Sequence, residues 1–504
     1  MSPKSGPRIP KYSVKSRRRR RWLKLAASAA GAIALISACA TMDRITGKTA
    51  DSPSHFWTPP AAEERPPAPL PSPLIPAELQ ATGRAWTLSE IVDVGLANNP
   101  QTKEAYHAAR AASAAVGISL GAYLPRIDAS VNGTKQKAVF AGGRFIIDQT
   151  TLTPSAGLSL LLFDFGGREA DVQAARRVLE AANWTQNAVC QDAILEIESV
   201  YYQYLSAKAL LEAQEINRKG AQVDSDAAND RHQAGIATIA DVLQAKTRLS
   251  TVDLQVMTTK GLIQTLHGAL ASSMGLPVDA AFEISDALPE SIPFDSVTKQ
   301  VDLAIKEAET QRPDLAAARA QVLAADAQVR KARSTFYPVF SLNGDIGRVY
   351  YKDNPVSNPF YSVSVSVSLP FVFGLQQYAV LAAKAEREAA RDRMTALGRG
   401  VELQVWTSYY GLKTSEQKIG AAGDLLESAQ ASCDVALGRY KEGVGSILEL
   451  LAAQTTLESA RVEMVQAKSE WFLTLVQFTH ATGTLSTSAG QALPPGPPKG
   501  DHRP

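Results

Sequence analysis

"YSVSVSVSLP" (Tyr361–Pro370) alternates without a fault: Val363, Val365, Val367 and Leu369 fall on one face of an extended strand, and Ser362, Ser364, Ser366 and Ser368 on the other. One face suits oil and the other suits water. The edge of a soluble sheet reads this way, and so does a strand of a membrane barrel, which crosses a bilayer obliquely in about 9–11 residues. The rest of the chain has to decide between the two.

The chain is 504 residues long with a formal charge of +2. That charge is uneven, because ten bases (Lys4, Arg8, Lys11, Lys15, Arg17 to Arg21 and Lys24) and no acid precede Cys39. Without them 42 bases face 50 acids, so the body of the chain is near −8. A basic nucleic-acid-binding surface is not expected. The excess belongs to a leader: "RRRRRWLK" is followed by the apolar "LAASAAGAIALISA" and then Cys39. A basic segment, about 14 apolar residues and small residues before a cut make an export signal. Its end, "LISAC" (Leu35–Cys39), resembles a bacterial lipobox, which implies lipidation of Cys39; Ala40 after it implies sorting to the outer membrane. An ordinary cleaved signal that ends near a cysteine is the other reading. The Pro-rich "PPAAEERPPAPLPSPLIP" (Pro59–Pro76) is a spacer from the membrane surface to the folded body or a plain tail.

The chain is written twice. "NNP" ending at Pro100 precedes "YLP" ending at Pro125, and "QRP" ending at Pro313 precedes "FYP" ending at Pro338, an offset of 213. "LLFDFGG" (Leu161–Gly167) matches "LPFVFGL" (Leu369–Leu375), and "SVYYQYL" (Ser199–Leu205) matches "TSYYGLK" (Thr407–Lys413). "RHQAGIATIADVL" (Arg231–Leu243) likewise matches "RYKEGVGSILELL" (Arg439–Leu451), and these three pairs share an offset of 208. The five extra residues of the first copy fall in its longer hairpin, read as "RIDASVNG", a Gly-rich "AGGR" and "TPSAGLSLLLF"; in the second copy "VFSLNGDI" and the opening stretch take the strand positions.

The expected plan is a leader at 1–38, a lipidated spacer at 39–85, repeats at 86–295 and 296–485, and a tail at 486–504. Within the repeats lie hairpins at about 126–163 and 339–370, tips at about 231–241 and 439–449, and an equatorial segment at 275–295. Gly166 to Gly235 and Gly374 to Gly443 each span 69 residues without proline, roughly 100 Å of helix. No globular core houses such a length, so a coiled-coil-like assembly is expected. The return from the tips is expected as pairs of helices stacked end to end. Thr238–Met274 is paired with Val301–Phe336, and Ser446–Gly483 with Leu88–Tyr123, the breaks forming a belt at mid-height.

At the tips, Gly235 and Gly443 are placed to end the descending helices in the left-handed conformation. Thr238 with Asp241 and Ser446 with Glu449 read as capping boxes. Turn chemistry alone explains these residues; as exposed tips, Gly235, Ile236, Ala237, Thr238, Gly443, Val444, Gly445 and Ser446 are also a docking surface.

Four strands cannot close a barrel, and open edges in lipid leave backbone groups unpaired. Two protomers supply eight strands, which fill with side chains; three supply twelve and leave a lumen. The fold class expected is a membrane β-barrel shared by a trimer, joined to a long α-helical barrel.

Taken together, the duplicated plan, "FDFGG", the paired tips and the lipobox leader resemble the TolC-like outer-membrane factors, in the lipoprotein branch found with drug-efflux pumps. The resemblance spans about Trp86–Leu485. It implies a homotrimeric passive duct that joins a periplasmic adaptor and an inner-membrane pump of the RND type, with type I secretion of polypeptides as the alternative. It also implies a periplasmic gate in which Asp241 and Glu449 match acidic positions and Tyr440 a constraining tyrosine. Where some members carry an arginine latch this chain has Gly445, and where some carry a second acidic ring it has Ala452, so a different latch or a looser entrance is expected.

No catalytic, metal or cofactor motif is present: His55, His107, His232, His267, His480 and His502 are scattered. Cys190 and Cys433 sit at different distances from their tips, too far apart in height to be bridged, and read as buried packing. Phe163, Phe165, Phe371 and Phe373 read either as an interfacial girdle or as core. A lipid-anchored coiled-coil scaffold without a pore is the remaining competitor; two alternating hairpins with no soluble sheet to join stand against it.

Overall fold

The computed structural model describes residues 73, 75, 85–140, 145–284, 287–288, 300–352, 354–370, 372 and 374–485. The leader, Cys39, the "AGGR" turn, Phe371, Phe373 and the tail from residue 486 lie outside them.

Two helices of 67 residues dominate, α3 (Gly167–Gln233) and α7 (Leu375–Lys441), displaced from one another by 208 residues. Each opens after a glycine with positive φ, Gly166 at 85° and Gly374 at 79°. Each is pinned by its second residue to the chain at the end of the strand before it. Arg168 donates from its guanidinium to the carbonyls of Leu161 at 2.6 Å and Leu162 at 3.0 Å, and Gln376, at the matching position, donates to Pro370 O at 2.7 Å.

The returning helices are α4 (Ile239–Ser273) and α8 (Ile447–Thr482). The upper helices expected as single pieces are each broken once more. α1 (Leu88–Asn98) gives way to α2 (Pro100–Gly121) at Asn99, and α5 (Val301–Gln311) to α6 (Pro313–Ser334) at Arg312. A proline at the first helical position supplies no N–H to continue the preceding helix and carries the φ that starts the next.

The expected end-to-end pairing is corrected by these breaks. α4 runs up to α2, not to the helix after the equatorial segment: Asn99 Nδ2 donates to Ser273 O at 3.3 Å, and a Cβ on Gly275 would stand 2.7 Å from Asn98 O. α8 runs up to α6, where a Cβ on Gly483 would stand 2.9 Å from Arg312 N. Both glycines have positive φ, 70° and 76°, so the close approach and the turn demand the same residue.

The core lies at this mid-height. One cluster gathers Trp86, Ile91, Ile197, Tyr201, Leu270 and Met274, and another Ala304, Val405, Leu412, Trp471 and Phe472. Tyr202 stacks on Phe472 at 4.9 Å and packs against both. A two-stranded parallel sheet, β1 (Ala85–Trp86) with β4 (Glu283–Ile284), flanks the first cluster. Ile75 packs on that cluster too. Cys190 is half-buried and Cys433 buried, both as free thiols.

The other sheet holds four antiparallel strands in the order β2 (Arg126–Phe140), β3 (Phe145–Phe163), β5 (Val339–Tyr351), β6 (Asn354–Ser368). The opening alternation is the second half of a 15-residue strand; Leu369 and Pro370 lie just past its end.

Candidate functional site

The chemistry of this chain is carried by a wall and two tips. In an antiparallel sheet, directly opposed residues share a face. The register therefore sorts all four strands at once. Ser362 and Ser364 oppose Asp345 and Asn343, which oppose Gly157 and Ser159, which oppose Asp128 and Arg126. Through these rows that face is polar, and it is bonded within itself; Leu161 and Phe360 are apolar members of the same face nearer its two ends. Ser362 Oγ donates to Asp345 Oδ2 at 3.3 Å, Asn343 Nδ2 to Ser366 Oγ at 3.1 Å, and Arg126 pairs with Asp128 at 3.0 Å.

The opposite face is apolar in row after row. Val363, Gly344, Leu158 and Ile127 form one row; Tyr361, Ile346, Ala156 and Ala129 form the next. These side chains are bare: Val363 is 75% exposed, Ile127 72% and Tyr361 84%. At the helix end a bulge between Leu161 and Phe163 restores the apolar parity and sets Phe163 opposite Phe340. Phe163 meets Phe165 edge-on at 4.8 Å, and Phe165 stacks on Tyr337 at 5.0 Å, so the two described members of the four phenylalanines gather where strands meet helices. Among the described residues the outer strands β2 and β6 each leave one edge unpaired.

At the first tip Gly235 has φ 77° and closes the helix: its N–H reaches His232 O and that of Ile236 reaches Arg231 O, both at 2.9 Å. Thr238 and Asp241 form the full capping box, with Asp241 Oδ2 accepting from Thr238 N at 2.8 Å. The Asp241 carboxylate is therefore folded onto its own helix start. The second tip repeats the turn, with Gly443 at φ 76° and Val444 N–H to Arg439 O at 3.0 Å. Its capping box is only half made. Ser446 Oγ accepts from Glu449 N at 3.2 Å, while the Glu449 carboxylate lies 3.7 Å from the Arg439 guanidinium. Gly445 answers to packing as well as to any missing latch, since a Cβ there would stand 3.0 Å from Arg439 Cβ and 3.2 Å from the backbone. Ala237 is half-buried, whereas Ile236 and Val444 are each 70% exposed.

Tyr440 is joined to the other tip: the Arg231 guanidinium lies 4.5 Å above its ring. Further up, the halves are tied by arginines that sequence reasoning passed over. Arg248 on α4 pairs with Asp224 on α3 at 2.9 Å and with Glu458 on α8 at 2.5 Å, and it also bonds Gln454. Arg461 on α8 donates to Asn217 on α3 at 2.7 Å. A signal existed, because at an offset of 208 Arg248 is matched by Thr456 and Glu458 by Ser250. The two copies disagree in charge where the tie is made. Between α4 and α8 at this level a groove of about 570 Å³ is lined by Leu243, Val252, Leu451 and Ala452, among others.

The sequence profile of the family described as "Outer membrane efflux protein" matches residues 92–276 and 304–484. Protein CyaE of Bordetella pertussis is 27% identical over 418 residues, which cover 81% of this chain and 86% of that protein. The pyoverdine export outer membrane protein OpmQ of Pseudomonas aeruginosa is 27% identical over 401 residues, 76% of this chain and 81% of that one. Among solved structures, the outer membrane protein VceC of Vibrio cholerae superposes with a TM-score of 0.70 at 20% identity, covering 79% of this chain and 96% of that one.

Proposed function

Because this chain belongs to the outer membrane efflux protein family, we propose that it is the outer-membrane duct of a tripartite efflux system, a passive channel for small molecules expelled by an inner-membrane pump. The observation that carries the reading is the two-faced sheet with both edges open. Three copies supply twelve strands, each β6 edge meeting the β2 edge of the next copy, with the serine face toward a wet lumen and the valine face toward lipid. The 67-residue helices then cross the periplasm, and the tips meet a periplasmic adaptor. The polar face carries Asp345 together with the Arg126–Asp128 pair, which makes the lumen a modest selector for cations.

The gate we propose is the set of ties between the halves: Arg231 on Tyr440, and Arg248 with Asp224 and Glu458. Asp241 and Glu449 act there through the turns they stabilise. Lipidation of Cys39 fastens the amino end to the outer membrane; Cys39→Ser should abolish labelling by a radioactive fatty acid.

The test of the duct is conductance of the full-length protein in planar bilayers, combined with in-cell crosslinking from Val444→Cys and mass spectrometry of what is captured. Discrete ion-conducting steps and capture of a periplasmic adaptor are expected. A protein that inserts without conducting would overturn the channel. Capture of neighbouring copies alone, with a pump expressed, would overturn the docking assignment.

A further inference from the structure

The apolar face of the sheet ends abruptly in positive charge. From the row of Phe163 and Phe340 to the row of Leu152 and Tyr350 is about ten residues of strand, roughly 33 Å, or about 25 Å at a 40° tilt. That is the height of the lipid-facing band of an outer-membrane barrel, with aromatics at both limits. The next row outward on the same face is Lys135 opposite Thr150, whose carbonyl accepts from Lys352 N at 3.0 Å. Two lysines thus flank one threonine, about 10 Å apart by strand spacing. Arg348, one row inside Tyr350, is exposed and long enough to reach up to the same level. Lys137 follows one row farther out, opposite Asp148, the single carboxylate in this patch among the described residues. Among the described residues none of the three lysines has an ion-pair partner, and Arg348 bonds only Ser357 Oγ, at 3.1 Å.

We propose that Lys135, Thr150, Lys352 and Arg348 form a docking surface for a phosphate-bearing lipid headgroup of the leaflet at the hairpin end. This rests on reading the sheet as a membrane wall. The strand-to-helix junctions all lie at the opposite end, so with periplasmic helices this leaflet is the outer one. The bases stand at headgroup depth beside an acyl-chain surface, and only a lipid satisfies both at once. Each base so placed is worth roughly five-fold in affinity for an anionic surface.

The experiment titrates fluorescent diphosphoryl lipid A into the full-length protein in detergent, for the wild type, for the triple variant Lys135→Gln, Arg348→Gln, Lys352→Gln, and for a charge-matched control on the helices, Lys103→Gln, Lys219→Gln, Lys306→Gln. Flotation with phosphatidylethanolamine vesicles reports insertion separately. The expected result is that all three proteins float, the control binds as the wild type does, and the triple variant binds roughly ten-fold or more weakly. Equal binding by the triple variant, with flotation intact, overturns the docking surface and leaves the barrel standing. A wild type that does not float overturns the membrane wall and the docking surface with it. Wild-type binding between about 0.05 and about 0.5 M salt reads the same charge without substitution: a several-fold fall is expected, and salt-independent binding refutes the proposal.

Discussion

Glu198 sits half-buried on α3 beside the mid-height core, and burial lifts its carboxyl to about 7 from an ordinary 4.5. Between those values the folded chain holds a proton that the unfolded chain has released. Stability should therefore fall as pH rises through this window and level off above it. Glu198→Gln should remove that slope, matching the wild type below pH 4.5 and exceeding it at pH 8 by about 1–2 kcal/mol, read as thermal midpoints at the two pH values. Arg248 makes the opposite case, a charge whose partners are in place. Its side chain is 12% exposed and those of Asp224 and Glu458 are 15% and 17%, so Arg248→Ala leaves two carboxylates facing one another in poor solvent. The loss should be about 3 kcal/mol, with wider conductance steps if the tie holds the gate. Arg248→Met with Asp224→Leu and Glu458→Leu should recover the stability and keep the wide conductance.

Among the helices and turns, four of the six described glycines with positive φ do unequal work. Gly235 and Gly443 stand in open space, so Ala there meets only the left-handed penalty, roughly 1–2 kcal/mol. Gly275 and Gly483 carry that penalty and also press on the backbone of Asn98 and Arg312. Gly275→Ala and Gly483→Ala should therefore cost more than Gly235→Ala, and should loosen the mid-height breaks where the tip glycines loosen only the turns. Hydrogen exchange resolved by peptide separates the two. The caps differ in the same way. Thr238→Ala removes a reciprocal box and should cost about 1 kcal/mol, while Ser446→Ala removes a single bond and should cost less.

For the whole molecule, the two faces of one strand make the sharpest contrast. Val363→Arg places a charge near the middle of the apolar band, where the cost is about 2–4 kcal/mol per copy, and trimer insertion should fail. Ser364→Arg, one residue away, faces the polar side and should leave insertion intact while lowering cation preference in bilayer recordings. If the two substitutions behave alike, the sheet does not separate lipid from water.

Much of this was written in one dimension. Alternation in "SVSVSVS", 69 residues without proline, and two tips at one constant offset are local or periodic properties, and they determine strand faces, helix lengths and turns whatever the neighbours do. Three matters were settled only in space. Which helix continues which was misjudged from chain order, because the close approach of Gly275 to Asn98 and of Gly483 to Arg312 joins segments more than 170 residues apart. The fate of the tip acids depended on hydrogen-bond geometry: one spacing leads Asp241 back to its own cap and sends Glu449 toward Arg439. The tie at Arg248 draws on three helices, and no periodicity within one helix records which side chains from the others will arrive. A repeat dictates what its two copies share, and packing decides where charge sets them apart.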